Sequence, residues 1–204
     1  MYRAFGKRAF DLVVAGTGLV LLSPLLAAVA IWIRATSPGP AFYRGVRAGR
    51  GGRHFAMLKF RTMVQDADRR GPSSTAADDV RITAIGHALR RFKLDELPQL
   101  INVVKGDMSL VGPRPQVIPV VNDYTDRERG LLAVQPGITD WASIRFRNEG
   151  EILKGSTDPD ADYLRLIHPE KVRLGLEYAD AVSFATDVGI LLHTAAIVLR
   201  LRSE

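Results

Sequence analysis

The chain has 204 residues, no cysteine, four histidines and a formal net charge of +6. That length suits one domain with a core of its own and at most an appendage, and the composition excludes a disulfide framework, a thiolate nucleophile and any cysteine-ligated metal centre. His54, His87, His168 and His193 make no metal-ligand spacing.

The charge is uneven along the chain. Residues 1 to 61 hold ten Lys or Arg against one acid, Asp11, whereas the remainder is slightly acidic. A basic end of this kind seeks phosphate, whether as lipid headgroup, nucleotide or nucleic acid. From Leu12 to Ile33 no residue is charged, a run long enough to cross about 30 Å of hydrocarbon if straight. Arg3, Lys7 and Arg8 precede the run and Arg34 follows it, so neither flank is marked as the outside one. Ser23-Pro24 stands in the middle, where the proline ring removes a backbone donor and crowds the preceding turn. A helix that enters a membrane, breaks at Ser23-Pro24 and returns to the same side explains the positive flanks and the central proline together. A single span, a buried core helix and a cleaved signal peptide are the alternatives.

After SPGP (37–40), AFYRGVR and HFAMLKFRT flank AGRGG and predict a β-hairpin with a glycine-rich turn. AGRGGR lacks the GK[ST] ending of a phosphate-binding loop. Strand alternation places Lys59 and Arg61 on one face, opposite Leu58 and Phe60. Those two cations serve either to guard an edge strand or to hold one anionic ligand, and the strand alone does not choose. Residues 66 to 81 read as a polar surface loop. A helix is expected from Thr83, with Ile82, Ile85, Leu89 and Phe92 at helical spacing, and a second from about Asp95 to Lys105, stopped by Gly106. GDMSLVGPRP then predicts a turn, a short apolar strand and a rigid Pro-Arg-Pro. Helical patterns follow near 116–133 and 159–181, separated by PGITDWASIRFRNEGEIL. The C-terminal DVGILLHTAAIVLRLR is too short and interrupted to span a membrane; it either lies in the interface or packs on the domain.

FKLDELPQL (92–100) carries the sharpest chemical signal. With Asp95 as N-cap, Pro98 falls in the first helical turn, where its missing N–H costs nothing, so capping alone accounts for Asp95, and the macrodipole accounts for Glu96. Arg90, Arg91 and Lys93 stand nearby, and Arg114 is held between two prolines. A capping residue needs no such company. Carboxylates with arginines and lysines, in a chain that lacks a GxSxG elbow and a histidine cluster, fit magnesium-assisted phosphoryl chemistry better than acyl transfer or zinc hydrolysis.

KRAFDL, the apolar run interrupted by Ser23-Pro24, MLKFRTM, LDELPQLINVVKGDMSLVGPRP and QPGIT occur in the order that characterises bacterial sugar transferases of the monotopic phosphoglycosyl transferase family, which this chain resembles over nearly its whole length. The resemblance implies an α+β, mainly helical protein. Residues 1–36 would form a re-entrant membrane helix, and residues 37–204 a cytosolic catalytic domain with a small β-hairpin and an interfacial C-terminal helix. It implies a membrane enzyme at the cytoplasmic face of the bacterial inner membrane. Such an enzyme moves a sugar 1-phosphate from a nucleoside diphosphate sugar, usually a UDP-sugar, to polyprenyl phosphate, and releases the nucleoside monophosphate. Carried over by position, Asp95 is the nucleophile that forms a covalent phospho-sugar, Glu96 is its metal partner or proton acceptor, and both are the implied Mg2+ ligands. Lys59, Arg61, Arg90 and Arg114 match positions assigned to phosphate or nucleotide contacts, and Arg147 keeps register with the end of a related motif. A homodimer is left open by the same resemblance.

The chain departs from the family pattern at Gly45, where many members have glutamine, and at DWASIRFRN, where many continue PGIT with GLAQVNGRN. It also lacks the additional N-terminal spans of larger members, so a minimal catalytic version is expected. Two other classes stand against an enzyme. A DNA-binding helix-turn-helix would place Asp95 and Glu96 at the start of its recognition helix, where they repel phosphates, so no nucleic-acid partner is expected. A non-catalytic basic scaffold would gather acidic lipids.

Overall fold

A computed structural model describes residues 2–200, in which helix predominates and β structure is confined to two small two-stranded sheets. After a π-helical turn at Tyr2–Gly6, α1 (Lys7–Thr36) runs as one helix with Pro24 inside it. Pro24 cannot bond the carbonyl of Val20; the Ser23 hydroxyl donates to that oxygen at 2.8 Å instead. The expected break at Ser23-Pro24 is therefore a proline accommodated within helical residues, not a gap between two helices.

The two halves of α1 pack on different parts of the same domain. Ala15 joins Val103, Met108, Leu110, Val111, Tyr178 and Ile190 in one core cluster, while Val29 and Ile33 join Ala41, Phe60, Ile85 and Leu89 in another. Between them Val20 and Leu21 are each 73% exposed.

The cations that precede the apolar run are bonded to the rest of the molecule. Arg3 donates to the Ala179 carbonyl at 2.6 Å, Lys7 to Asp187 at 2.7 Å, and Arg8 to the Val103 and Val104 carbonyls at 2.5 and 2.8 Å. These carbonyls end helices, where a cation satisfies orphan acceptors and opposes the macrodipole. The expectation that the N-terminal charges are free to meet lipid or substrate is corrected for these three; Arg34 stays exposed.

The hairpin forms where expected. Strands β1 (Phe42–Ala48) and β2 (His54–Phe60) pair antiparallel, and Gly51 and Gly52 take left-handed φ values of 66° and 76° in the turn. The loop after β2 is anchored by the Met63–Ile82 bridge, by the Arg81–Asp79 ion pair and by Asp160, which accepts from the Ser73 and Ser74 amides. Helix α2 (Ala84–Arg91) starts on Thr83, whose hydroxyl accepts from the Gly86 amide.

The second expected helix begins later than its sequence suggests. Leu94–Glu96 forms a 3-10 turn, and α3 (Gln99–Lys105) starts only after Pro98. Pro98 has no N–H to give the Leu94 carbonyl, so the chain tightens: the Leu97 amide bonds that carbonyl at 3.2 Å. Asp95 is thus not an N-cap, and its side chain caps nothing. Gly106 ends α3 at φ 91°, as expected.

Strand β3 (Ser109–Val111) pairs in parallel with β4 (Gly137–Thr139). The pattern at 116–133 yields two pieces, α4 (Ile118–Asn122) and a 3-10 turn at Glu128–Ala133, because Thr125 and Glu128 form a reciprocal capping box that starts the chain afresh. The connector after PGIT folds into α5 (Trp141–Arg145), capped by Asp140, and α6 (Glu149–Ile152). His168-Pro169 divides the last pattern into α7 (Pro159–Leu166) and α8 (His168–Asp180). Helix α9 (Phe184–Arg200) packs Ile190 into the core and exposes Phe184, Leu192 and Leu199.

Candidate active site

A cleft of about 2150 Å³ opens beside the hairpin, and its walls carry Lys59, Arg90, Asp95, Glu96, Arg114 and Arg147. Three elements far apart in sequence bring these groups together. Lys93 takes a left-handed conformation (φ 54°) at the end of α2 and swings the chain into the 3-10 turn that holds the acids. β2 supplies Lys59, and the Pro-Arg-Pro after β3 supplies Arg114. Close approach of β3 and β4 fixes that last segment: a Cβ on Gly137 would lie 2.1 Å from the Gly112 nitrogen.

Glu96 is held from two sides. Lys59 Nζ donates to its Oε1 at 2.9 Å, Arg114 Nη1 donates to Oε2 at 3.1 Å, and Arg114 Nη2 bonds Oε1 as well. Burial raises the Glu96 pKa, but Arg114 and Lys59 together outweigh it and hold the carboxyl well below the usual carboxylate range. The pairing in turn pushes the Arg114 pKa up, whereas burial pushes that of Lys59 down.

Asp95 is placed otherwise. It is 7% exposed, and its carboxylate accepts no side-chain or backbone hydrogen bond among the described residues. Burial, and next the negative charge of Glu96, raise its pKa; Lys59, Arg90 and Lys93 offset this in part. Those cations, rather than a helix N-terminus, favour its ionised form against desolvation. A buried, unbonded carboxylate facing a cleft is suited to act as nucleophile or hard-cation ligand.

The remaining expected residues divide. Arg90 donates through Nε to the Thr62 hydroxyl at 2.9 Å, and Asp95 is the carboxylate that acts on it most. Arg147 is exposed at the cleft rim, where its carbonyl accepts from Lys93 Nζ at 3.2 Å. Arg61 lies just beyond the end of β2 and also lines the cleft; it donates to the carbonyls of Ser37 (2.8 Å) and Pro38, so it closes the loop after α1. A Cβ on Gly39 would stand 2.9 Å from Arg61 Nη1, which shows how closely this clamp fits.

Sequence reasoning passed over other groups that serve the site. Asn102, 1% exposed, accepts from the Leu58 amide at 2.9 Å and donates to the Ala56 carbonyl at 2.8 Å, so it ties α3 to β2 and thereby Asp95 and Glu96 to Lys59. Lys171 pairs with Glu149 on the far side of Arg114. The polar position in LINVVK was the only available signal for Asn102.

The sequence profile of the bacterial sugar transferase family matches residues 2–201. A UDP-N-acetylgalactosamine-undecaprenyl-phosphate N-acetylgalactosaminephosphotransferase of Aeromonas hydrophila is 36% identical over 200 residues, covering 96% of this chain and 44% of the relative. An uncharacterized sugar transferase of Bacillus subtilis is 37% identical, with 95% and 87% covered. A UDP-glucose:undecaprenyl-phosphate glucose-1-phosphate transferase of Xanthomonas campestris is 37% identical, with 97% of this chain and 40% of the relative covered. The chain thus spans less than half the length of two of these relatives and most of the third. It belongs to the bacterial sugar transferases, a family of enzymes.

Proposed function

We propose that this chain transfers a sugar 1-phosphate from a UDP-sugar to undecaprenyl phosphate, in two displacements at Asp95, as a membrane step of glycoconjugate or exopolysaccharide synthesis. The observation that carries the reading is the contrast within the acid pair: Glu96 is bound by Lys59 and Arg114, while Asp95 is buried, unbonded and turned to the same cleft. In the first displacement an Asp95 carboxylate oxygen attacks the sugar-bearing phosphorus. The bond to the bridging oxygen breaks, and UMP leaves with its electron pair. In the second, a phosphate oxygen of undecaprenyl phosphate attacks the same phosphorus and expels the carboxylate, giving the lipid diphosphate sugar and restoring Asp95. Splitting one displacement into two in this way is what an activated carboxylate offers.

The free oxygens of Asp95 also fit a magnesium ion, which favours one or two carboxylates together with substrate phosphate oxygens and water. Such an ion would supply charge neutralisation at the transferring oxygens. Glu96 joins as a ligand only by sharing oxygens with its two cations. Lys59, Arg90 and Arg114 ring the position of the developing charge.

The same proposal places α1 in the cytoplasmic leaflet of the bacterial inner membrane, entering and leaving on one side. Support comes from length and apolar composition, and from packing: both halves rest on one domain while the middle offers bare Val20 and Leu21. The exposed Phe184, Leu192 and Leu199 of α9 extend that apolar face.

Incubation with a radiolabelled UDP-sugar and undecaprenyl phosphate tests the activity; the expected product is a lipid-extractable sugar, absent for Asp95→Asn. Donor alone, followed by digestion and mass measurement, should show a sugar phosphate on the peptide that contains Asp95. The relatives' names differ in their sugar, so a panel of UDP-sugars assayed by UMP release assigns it.

A further inference from the structure

We propose that Arg47, on the first strand of the hairpin, holds a second phosphoryl group in the cleft, with Tyr43 fixing the position of its guanidinium. The proposal rests on the transferase reading above and extends its substrate contacts to a residue outside the acid pair and its cations.

Tyr43 is paired with Lys59 across the hairpin, Gly45 with Met57 and Arg47 with Phe55. Alternation along β1 therefore puts Tyr43, Gly45 and Arg47 on the face that carries Lys59, and Tyr43, Arg47 and Lys59 all line the cleft. The two long side chains converge over the bare Cα of Gly45. A Cβ built there would lie 2.8 Å from Tyr43 Cε1, 3.2 Å from the Tyr43 hydroxyl and 3.2 Å from Arg47 Nη1. Arg47 thus leans back along its strand toward Tyr43, so that its Nη1 stands over Gly45 beside the phenol. Glycine at this position is what leaves the space in which phenol and guanidinium meet.

Arg47 differs from Lys59, Arg114 and Lys171 in its lack of a carboxylate partner. Lys59 and Arg114 share Glu96, and Lys171 has Glu149. No carboxylate pairs with Arg47 among the described residues; its hydrogen bond is from Nη1 to the carbonyl of Val46, at 2.8 Å. Burial disfavours its charge; Tyr43 offsets this in part, and Arg114 nearby adds to it. A guanidinium does not escape by losing its proton, so an anion is the remaining source of relief. The planar fork matches a phosphate oxygen pair. Lys59 and the acids mark where the phosphoryl under attack would lie. Arg47, further along the same face, suits the phosphoryl that is not attacked, supplied either by the leaving UMP or by the acceptor lipid.

The full chain in detergent micelles, with magnesium present, is titrated with UDP and separately with undecaprenyl phosphate, as wild type, Arg47→Met and Arg47→Lys. Arg47→Met is expected to weaken one of the two ligands by about 10- to 100-fold, the scale of a charge-assisted hydrogen-bond pair, with partial recovery in Arg47→Lys. Loss confined to UDP assigns the position to the donor, and loss confined to the lipid assigns it to the acceptor; either result supports the proposal. Binding of both ligands by Arg47→Met within twofold of wild type overturns it while the transferase reading stands. A wild type that binds neither ligand overturns the transferase reading itself. If Arg47→Met does not accumulate as folded protein, Arg47→Lys decides alone, since lysine keeps the charge and loses the fork; unchanged affinity for both ligands then rejects the assignment.

Discussion

At Asp95 a single carboxylate meets opposed demands. Burial raises its pKa, so ionising it in the folded protein costs free energy that the unfolded chain does not incur. This cost is complete above the folded pKa, shrinks as pH falls below it and is gone once pH drops below the ordinary aspartate value of 3.8. Asp95→Asn should therefore abolish transfer and yet melt higher than wild type at pH 7.5, with the gap closing as the buffer is acidified; a scan of melting temperature against pH checks it. The rate of UMP release with donor alone should fall at a higher pH than an ordinary aspartate, at 3.8, would dictate. Glu96 behaves in the opposite sense. Its stabilisation is complete above the ordinary glutamate value of 4.5 and is lost only as pH drops through its lowered folded pKa. Glu96→Gln leaves Lys59 and Arg114 without their acid, and a loss of about 2 kcal/mol is expected in urea unfolding at neutral pH, below the fully buried case because the three side chains keep some solvent. At this scale the acid pair was legible because residue types in one short stretch carry the signal. The division of labour between the two was not, since it depends on β2 and on the segment after β3.

Elements hold those residues through contacts that no local pattern announces. Asn102 fastens α3 to β2 by two backbone bonds, so Asn102→Leu takes away the partner of the Leu58 amide and of the Ala56 carbonyl, both partly buried. A loss of about 2–3 kcal/mol is expected, with a larger fall in turnover than in UDP affinity; urea unfolding and steady-state kinetics separate the two. Gly137→Ala forces a methyl group into the Gly112 backbone and should cost about 3 kcal/mol or abolish folding. Its gentler test is a lowered melting temperature with retained helix content. The hairpin and the stop at Gly106 were readable because glycine acts locally, whereas the division at His168-Pro169 of the helical pattern expected over 159–181 was not anticipated. The late start of α3 was missed because Asp95 and Pro98 are equally good signals for a helix begun four residues earlier. The short apolar strand expected in GDMSLV forms as β3, but its parallel partner β4, beyond α4 and a 3-10 turn, was not foreseen, because a three-residue strand carries too little alternation to be read.

For the molecule as a whole, the packing of α1 supports the proposed re-entrant arrangement. A straight span would carry one half of α1 away from the domain, yet Ala15 and Ile33 are both fully buried against it. Cysteines placed near residues 3 and 38 should label from the same side of inverted vesicles, and opposite-sided labelling would show a crossing. The length and apolar composition of the segment were plain in the sequence, whereas the pairing of Arg3, Lys7 and Arg8 was not, because their partners lie 95 to 180 positions away.

Those separations bear on biogenesis. During synthesis α1 leaves the ribosome before Val103, Leu110 or Asp187 exists, so Arg3, Lys7 and Arg8 are then naked charges able to fix which way a nascent apolar segment enters the lipid. Only later do the helix ends and Asp187 take them up. The same three side chains would thus serve first as an insertion signal and afterwards as internal fasteners, a handover that a pulse-chase of protease protection in membranes would resolve in time.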